Sequence, residues 1–119
     1  MTPTTLGWHH GEWGSADTLG MPLSDRGLQL ADGVFETVLI QDGTSQLLSE
    51  HLQRWQHSAT LLGMAAPPAR PWLEQLVDEA ITRAGLNTVG TTGAMRLNWS
   101  RGSIAGRGIG LPAAEPDPT

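Results

Sequence analysis

The chain has no cysteine, no tyrosine and no lysine. The missing cysteine removes disulfides, thiolate catalysis and cysteine-ligated metal sites. The missing lysine removes any mechanism that needs a lysine amine on this chain. All seven basic residues are arginine: Arg26, Arg54, Arg70, Arg83, Arg96, Arg101 and Arg107. Phe35 is the only phenylalanine, so the core must lean on aliphatic side chains and five tryptophans. Positive charge is scarce. The net charge is −5 and the pI is near 5.1, which argues against a nucleic-acid partner held by a basic surface. No apolar run approaches the roughly 20 residues of a membrane-spanning helix, so no membrane partner is expected. Residues 1–10 carry neither a basic n-region nor an apolar h-region, so no signal peptide and a cytoplasmic location are expected.

What is present suits one globular domain: 119 residues, 39% hydrophobic and 16% charged. Leu6 to Trp8 and Glu12 to Trp13 flank His10-Gly11 and read as short strands around a tight turn. Thr18 to Asp32 is rich in turn-formers and reads as irregular. Val34 to Gln41 is β-branched and aliphatic, and Asp42-Gly43 after it is a strong hairpin signal, with Thr44 to Leu48 returning. Ser49 is a candidate N-cap for a helix carrying Leu52, Trp55, Ala59 and Leu62, which Gly63 can end. Pro71 opens a second helix with Leu73, Leu76, Val77, Ala80 and Ala84 on one stripe, an i,i+4 pair Glu79–Arg83, and Gly85 beyond its end. Ala94 to Arg101 alternates as a strand, with Met95, Leu97 and Trp99 on one face and Arg96, Asn98 and Ser100 on the other. The expected class is α+β: an antiparallel sheet with two helices packed on one side. Residues 112–119 are proline, alanine and acid, and read as a linker or frayed tail.

Three groups of residues invite a chemical reading. Arg54 lies about 80° or more from the apolar stripe of its helix, beside Leu61. It is either a solvated arginine or a guanidinium fork for an anion such as phosphate. Arg96, Arg101 and Arg107 sit on the last strand and the glycine-rich loop after it. They are either solvated or a clamp for carboxylate or phosphate, with glycines allowing close backbone approach. That loop has no Gly-Lys-Ser/Thr, so it is not a P-loop, and no βαβ unit makes it a dinucleotide site. The segment Ser24 to Thr37 reads as turn chemistry in which Asp25 and Arg26 pair or cap and Phe35 begins a buried face. His9 and His10 point oppositely on a strand, and His51 and His57 do not share a helix face. No metal site is therefore expected. No G-x-S-x-G elbow supports a serine triad.

Together these segments resemble a known family. LSDRGLQLADGVFET, from Leu23 to Thr37, is similar to the "D-R-G … G-D-G-x-F-E-T" segment of the class IV (fold-type IV) pyridoxal-phosphate enzymes. Those include branched-chain and D-amino acid aminotransferases and 4-amino-4-deoxychorismate lyases. SEHLQR, from Ser49 to Arg54, is similar to their "H-L-x-R-L" helix. SRGSIAGRG, from Ser100 to Gly108, is similar to the lyase-type strand end. The matches run in order from about Leu6 to Leu111.

The resemblance implies that Arg54 binds the phosphate of pyridoxal 5′-phosphate and that Phe35 lines the substrate pocket. It also implies that Arg96, Arg107 and, less directly, Arg101 take substrate carboxylates. Leu30-Ala31 stands where an aromatic-glycine pair is usual, and Trp55 where a leucine is. The residues after Arg107 are glycine and isoleucine rather than the histidine of D-amino acid aminotransferases, which favours the lyase branch. Family chains are more than twice as long, and their second domain supplies the Schiff-base lysine. Residues 1–111 are therefore expected to be the small N-terminal domain, without a catalytic residue of its own, from a homodimeric enzyme acting on small amino or carboxylic acids. The expected reaction is elimination of pyruvate from aminodeoxychorismate to give 4-aminobenzoate for folate. Branched-chain or D-amino acid transamination, and a non-catalytic anion-binding or interaction domain, stay open.

Overall fold

The computed structural model describes residues 5–103. Arg107 and the expected tail lie outside them. The elements run β1 (Leu6–His9), β2 (Glu12–Ser15), α1 (Arg26–Leu30), β3 (Gly33–Gln41), β4 (Thr44–Ser45), α2 (Leu48–Leu61), α3 (Arg70–Arg83) and β5 (Thr92–Ser100). The class is α+β. β4, β3 and β5 form an antiparallel sheet in that order, and β1 and β2 form a separate hairpin.

The long pair β3–β5 sets the layering. Its register places Val34 opposite Trp99, Glu36 opposite Leu97 and Val38 opposite Met95. Opposed residues share a face, so these six point together toward the helices. Val38 and Ile40 are buried with Val77 and Ile81 of α3, while Leu52 and Trp55 of α2 are buried with Leu73. The indole N–H groups are also placed: Trp55 donates to the Val34 carbonyl at 3.3 Å and Trp99 to the Ala65 carbonyl at 2.9 Å. The opposite face carries Phe35, Thr37 and Leu39 of β3 with Arg96 and Asn98 of β5, all exposed. Phe35 is 56% exposed, so the expected buried face begins one residue earlier, at Val34. A strand's two-residue period turns that shift of one into a change of side.

Asp42 and Gly43 make the tight turn between β3 and β4 at φ 53° and 79°. Both angles are positive, the form that suits the twist of a two-residue hairpin. β4 is shorter than the sequence suggests, pairing only Thr44 and Ser45. α2 begins at Leu48 after Leu47 in the left-handed region, so Ser49 lies inside the helix rather than capping it. Leu62 is its C-cap, and Gly63 follows at φ 65°. Pro71 does sit in the first turn of α3, where its missing N–H costs nothing. Ile81, absent from the expected stripe, is buried there. The β1–β2 hairpin has contacts on α3: Trp8 meets Trp72 edge-on at 5.6 Å, and the Arg83 guanidinium lies 4.7 Å from a Trp13 ring centroid.

The stretch expected to be irregular contains α1. Asp25 caps it, accepting from the Leu28 N–H at 2.9 Å. A five-residue helix is too short to show a periodicity, and its position is set by distant partners. Ser100 is chief among them. Its hydroxyl donates to Asp25 Oδ1 at 2.7 Å and accepts from the N–H groups of Gly27 at 3.1 Å and Gly102 at 3.0 Å. Ser100 shares the side of Arg96 and Asn98, but it is buried there because α1 packs against that end of β5. Gly27 must be glycine for the same reason: a Cβ there would lie 2.7 Å from Ser100 Oγ.

Candidate functional site

Each expected arginine has a defined place. Arg101 is buried, its Nε donating to Asp32 at 2.9 Å and its terminal nitrogens to the carbonyls of Leu62, at 2.7 Å, and Gly63, at 3.3 Å. Those carbonyls lie at the C-cap of α2 and one residue beyond it, where the helix dipole favours a cation. Arg26 donates to the same Asp32 oxygen at 2.7 Å. Burial pushes the Asp32 carboxyl up, but the hydrogen bonds and charges of Arg26 and Arg101 outweigh it and hold Asp32 below the usual carboxylate range. The Arg101 guanidinium is thus occupied by its own chain.

Arg54 is different. It projects from α2 and is 66% exposed, while Glu36 on β3 is 11% exposed. Arg54 lies side-on to Glu36: Nε donates to both carboxylate oxygens at 3.0 Å and Nη2 to Oε1 at 2.6 Å. Among the described residues, Nη1 has no protein partner. The end of the fork, Nη1 with the second hydrogen of Nη2, is left for an external acceptor. The hydrogen bonds from Arg54 hold the Glu36 carboxyl below its ordinary value, against the opposing effect of burial, with His51 adding to them. The same contact with Glu36 raises Arg54 further into its charged range.

Glu36 is the residue the sequence reading passed over. The signal was there: an acid within the apolar alternation Val34, Val38, Ile40 on the helix-facing side. A carboxylate in that position needs partners, and a helix packed on that face must supply them.

On the open face, the Arg96 guanidinium carbon lies 4.0 Å from the Phe35 ring centroid. Its Nε donates to Asn98 Oδ1 at 3.0 Å. The two contacts fix an exposed guanidinium by its stem and flat side, leaving its terminal nitrogens without partners among the described residues. The structure brings together Arg54 with Glu36 and His51 on the helix side, and Arg96 with Phe35 on the open side. It does not bring Arg101 to either. Among the described residues no group of three histidines or acids is placed to hold a metal, and no helix is long and apolar enough to cross a membrane.

The donor set fits one part of a pyridoxal phosphate site. An exposed, charge-fixed guanidinium with a free planar edge suits a phosphate. The chain has no lysine to hold the aldehyde end.

Comparison with known proteins points the same way. The family profile of amino-transferase class IV matches residues 33–119. A bifunctional aminodeoxychorismate lyase / D-amino acid transaminase of Mycobacterium tuberculosis is 38% identical over 90 residues, covering 73% of this chain and 30% of that protein. The PLP-bound form of a hypothetical aminotransferase from Mycobacterium tuberculosis superposes with a TM-score of 0.70 at 35% identity, covering 81% of this chain and 33% of that one. A 4-amino-4-deoxychorismate lyase from Pseudomonas aeruginosa gives 0.63 at 32% identity, covering 85% and 34%. This chain spans about a third of the length of the proteins it matches. The hypothetical aminotransferase from Mycobacterium tuberculosis binds pyridoxal phosphate, as its PLP-bound form shows. With the profile matched from β3 onward, and with β3, α2 and β5 carrying the site just described, the chain belongs to the class IV aminotransferase family.

Proposed function

We propose that this chain is the N-terminal small domain of a pyridoxal-phosphate enzyme, and that it supplies the anion-binding side of the active site. The carrying observation is Arg54, exposed and held side-on by Glu36 with its outer edge free. Pyridoxal phosphate, where bound, supplies an electron sink for bond cleavage at an amino acid's α-carbon. In this reading Arg54 holds the phosphate. Phe35 lines the substrate pocket, and Arg96, stacked on it, meets a substrate carboxylate. By resemblance, Arg107 is the second group that meets a substrate carboxylate. Arg101 serves the fold. The lysine must come from chain outside these 119 residues.

The favoured reaction is the lyase one, elimination of pyruvate from aminodeoxychorismate to leave 4-aminobenzoate. It is supported by the arginine-rich strand end, which suits a substrate bearing more than one carboxylate, and by the lyase relatives. A second reading is D-amino acid transamination, favoured by the second activity in the name of the bifunctional relative. An assay of the enzyme that carries this chain separates them. The lyase reading expects pyruvate from aminodeoxychorismate with no keto acid added. The transaminase reading expects turnover of D-alanine only when a keto-acid acceptor is present. In either case Arg54→Gln is expected to raise the cofactor concentration for half-maximal activity by about tenfold or more. An unchanged cofactor requirement refutes the phosphate role of Arg54.

A further inference from the structure

Arg54 is a long side chain on a surface helix, and an exposed arginine ordinarily samples many rotamers. Here it does not stand alone. Glu36 accepts from it, and His51, one helical turn before Arg54, meets the same carboxylate: His51 Nδ1 lies 2.7 Å from Glu36 Oε1. His51 and Glu36 are both largely buried, at 18% and 11% exposed.

Chemistry fixes the direction of that bond. The carboxyl of Glu36 is held ionised and can only accept. Nδ1 of His51 must therefore carry the hydrogen and donate. The 3.4 Å approach of Arg54 Nη2 to the same Nδ1 then joins two donors and is a contact, not a hydrogen bond. Glu36 Oε1 so takes one hydrogen bond from β3's helical neighbour His51 and others from Arg54, while Oε2 takes the Arg54 Nε–H.

We propose that His51 is a positioning residue for anion binding: by donating from Nδ1 to Glu36 it fixes the carboxylate that holds Arg54 with its outer edge toward the ligand. The inference rests on the reading of Arg54 as an anion site and adds a group that itself touches no ligand. Without the His51 bond, the Glu36 carboxylate can turn about its last torsion, which is broad for such a side chain. Arg54 would then lose one defined orientation, and binding would carry the ordering cost that the clamp has already met.

The probe is sulfate, titrated by calorimetry at constant ionic strength into the cofactor-free form of the enzyme that carries this chain. Sulfate stays a dianion near neutral pH, so its own titration does not enter. The expected pattern is Arg54-dependent binding in the wild type, weakened about three- to tenfold in His51→Leu. His51→Asn, whose Nδ2–H sits where Nδ1–H does, is expected to restore affinity to within about twofold of wild type. In a Glu36→Gln background, His51→Leu is expected to have no further effect, because the route runs through the carboxylate.

The outcomes separate the two ideas. If the wild type binds no sulfate, or Arg54→Gln binds it as well, the anion-site reading and this inference both fall. If Arg54 is required but His51→Leu binds as tightly as wild type, or His51→Asn is as weak as His51→Leu, only this inference falls. A second measurement needs no variant to fold. In the unliganded wild type the Arg54 Nε–H is expected as a resolved, exchange-protected NMR signal, and a rapidly averaging one overturns the proposal.

Discussion

Asp32→Ala is expected to cost roughly 3–5 kcal/mol and to leave the domain largely unfolded at room temperature. Asp32 accepts from two guanidiniums at once, Arg26 at 2.7 Å and Arg101 at 2.9 Å. Both arginines are less than a tenth exposed. Removing the acid leaves two like charges facing each other with little water to screen them. The favourable Coulomb energy of the intact cluster is not the reason for the size of the effect, because burying ions is itself expensive. The reason is what remains when one ion goes. The loss also reaches the end of α2, where Arg101 meets the carbonyls of the C-cap Leu62 and of Gly63 after it. Urea unfolding followed by tryptophan fluorescence checks the value, and a loss under 1 kcal/mol refutes the account of the cluster.

Asp32 of this cluster and Glu36 of the Arg54 site together give a sign for pH. Asp32 and Glu36 both have carboxyls lowered by folding. Their contribution is fully present above the unfolded-state value, about pH 4 for such groups, and is lost as pH falls through the lower folded values.

Ser100→Ala is the second large effect, expected at roughly 2–4 kcal/mol. One hydroxyl here serves Asp25, Gly27 and Gly102. Alanine removes the acceptor of two backbone N–H groups and the donor to a buried carboxylate. Buried groups left short of a partner cost more than an ordinary hydrogen bond gains. The damage should be local first: α1 and the bridge from Asp25 to Ser103 depend on this hydroxyl. Hydrogen exchange checks it, with the amides of Gly27 and Leu28 expected to lose protection before those of β3. Equal protection in both proteins would contradict the hub role.

Much of the architecture is legible in the residues. The alternation of Met95, Leu97 and Trp99 marks the helix-facing side of β5, and Asp42-Gly43 marks the hairpin turn. The stripes of α2 and α3 mark the covering layer. These are local patterns, and local patterns are what periodicity reads. The misses have a common cause. Ser100 is polar, follows two polar face-mates and looks exposed, but its burial is decided by Asp25, 75 positions away in the chain. Phe35 looks like the start of a core and faces out, because the helices cover the other side of the strand. α1 is too short for a period to declare it.

The candidate site was legible in part. Motif resemblance singled out Arg54, and the structure gives it a geometry: an edge free and a stem clamped. Glu36 and His51 do not stand out as site residues in the sequence, although both lie inside the family-like segments 23–37 and 49–54. Neither has a partner nearby in sequence that would reveal its use; Glu36 meets α2 only because β3 and α2 pack face to face. Arg101 shares its motif with the other strand-end arginines, and only the fold shows its guanidinium turned inward.

The most direct test of the central claim is to compare the affinity of this chain for pyridoxal 5′-phosphate and for pyridoxal, which lacks the phosphate, in the wild type and in Arg54→Gln. The account predicts that the phosphate form binds wild type about tenfold or more tightly than pyridoxal and that Arg54→Gln erases the preference. It also predicts that borohydride fixes no cofactor to any side chain. Equal affinity of the wild type for the two compounds, or a preference that survives Arg54→Gln, would contradict it.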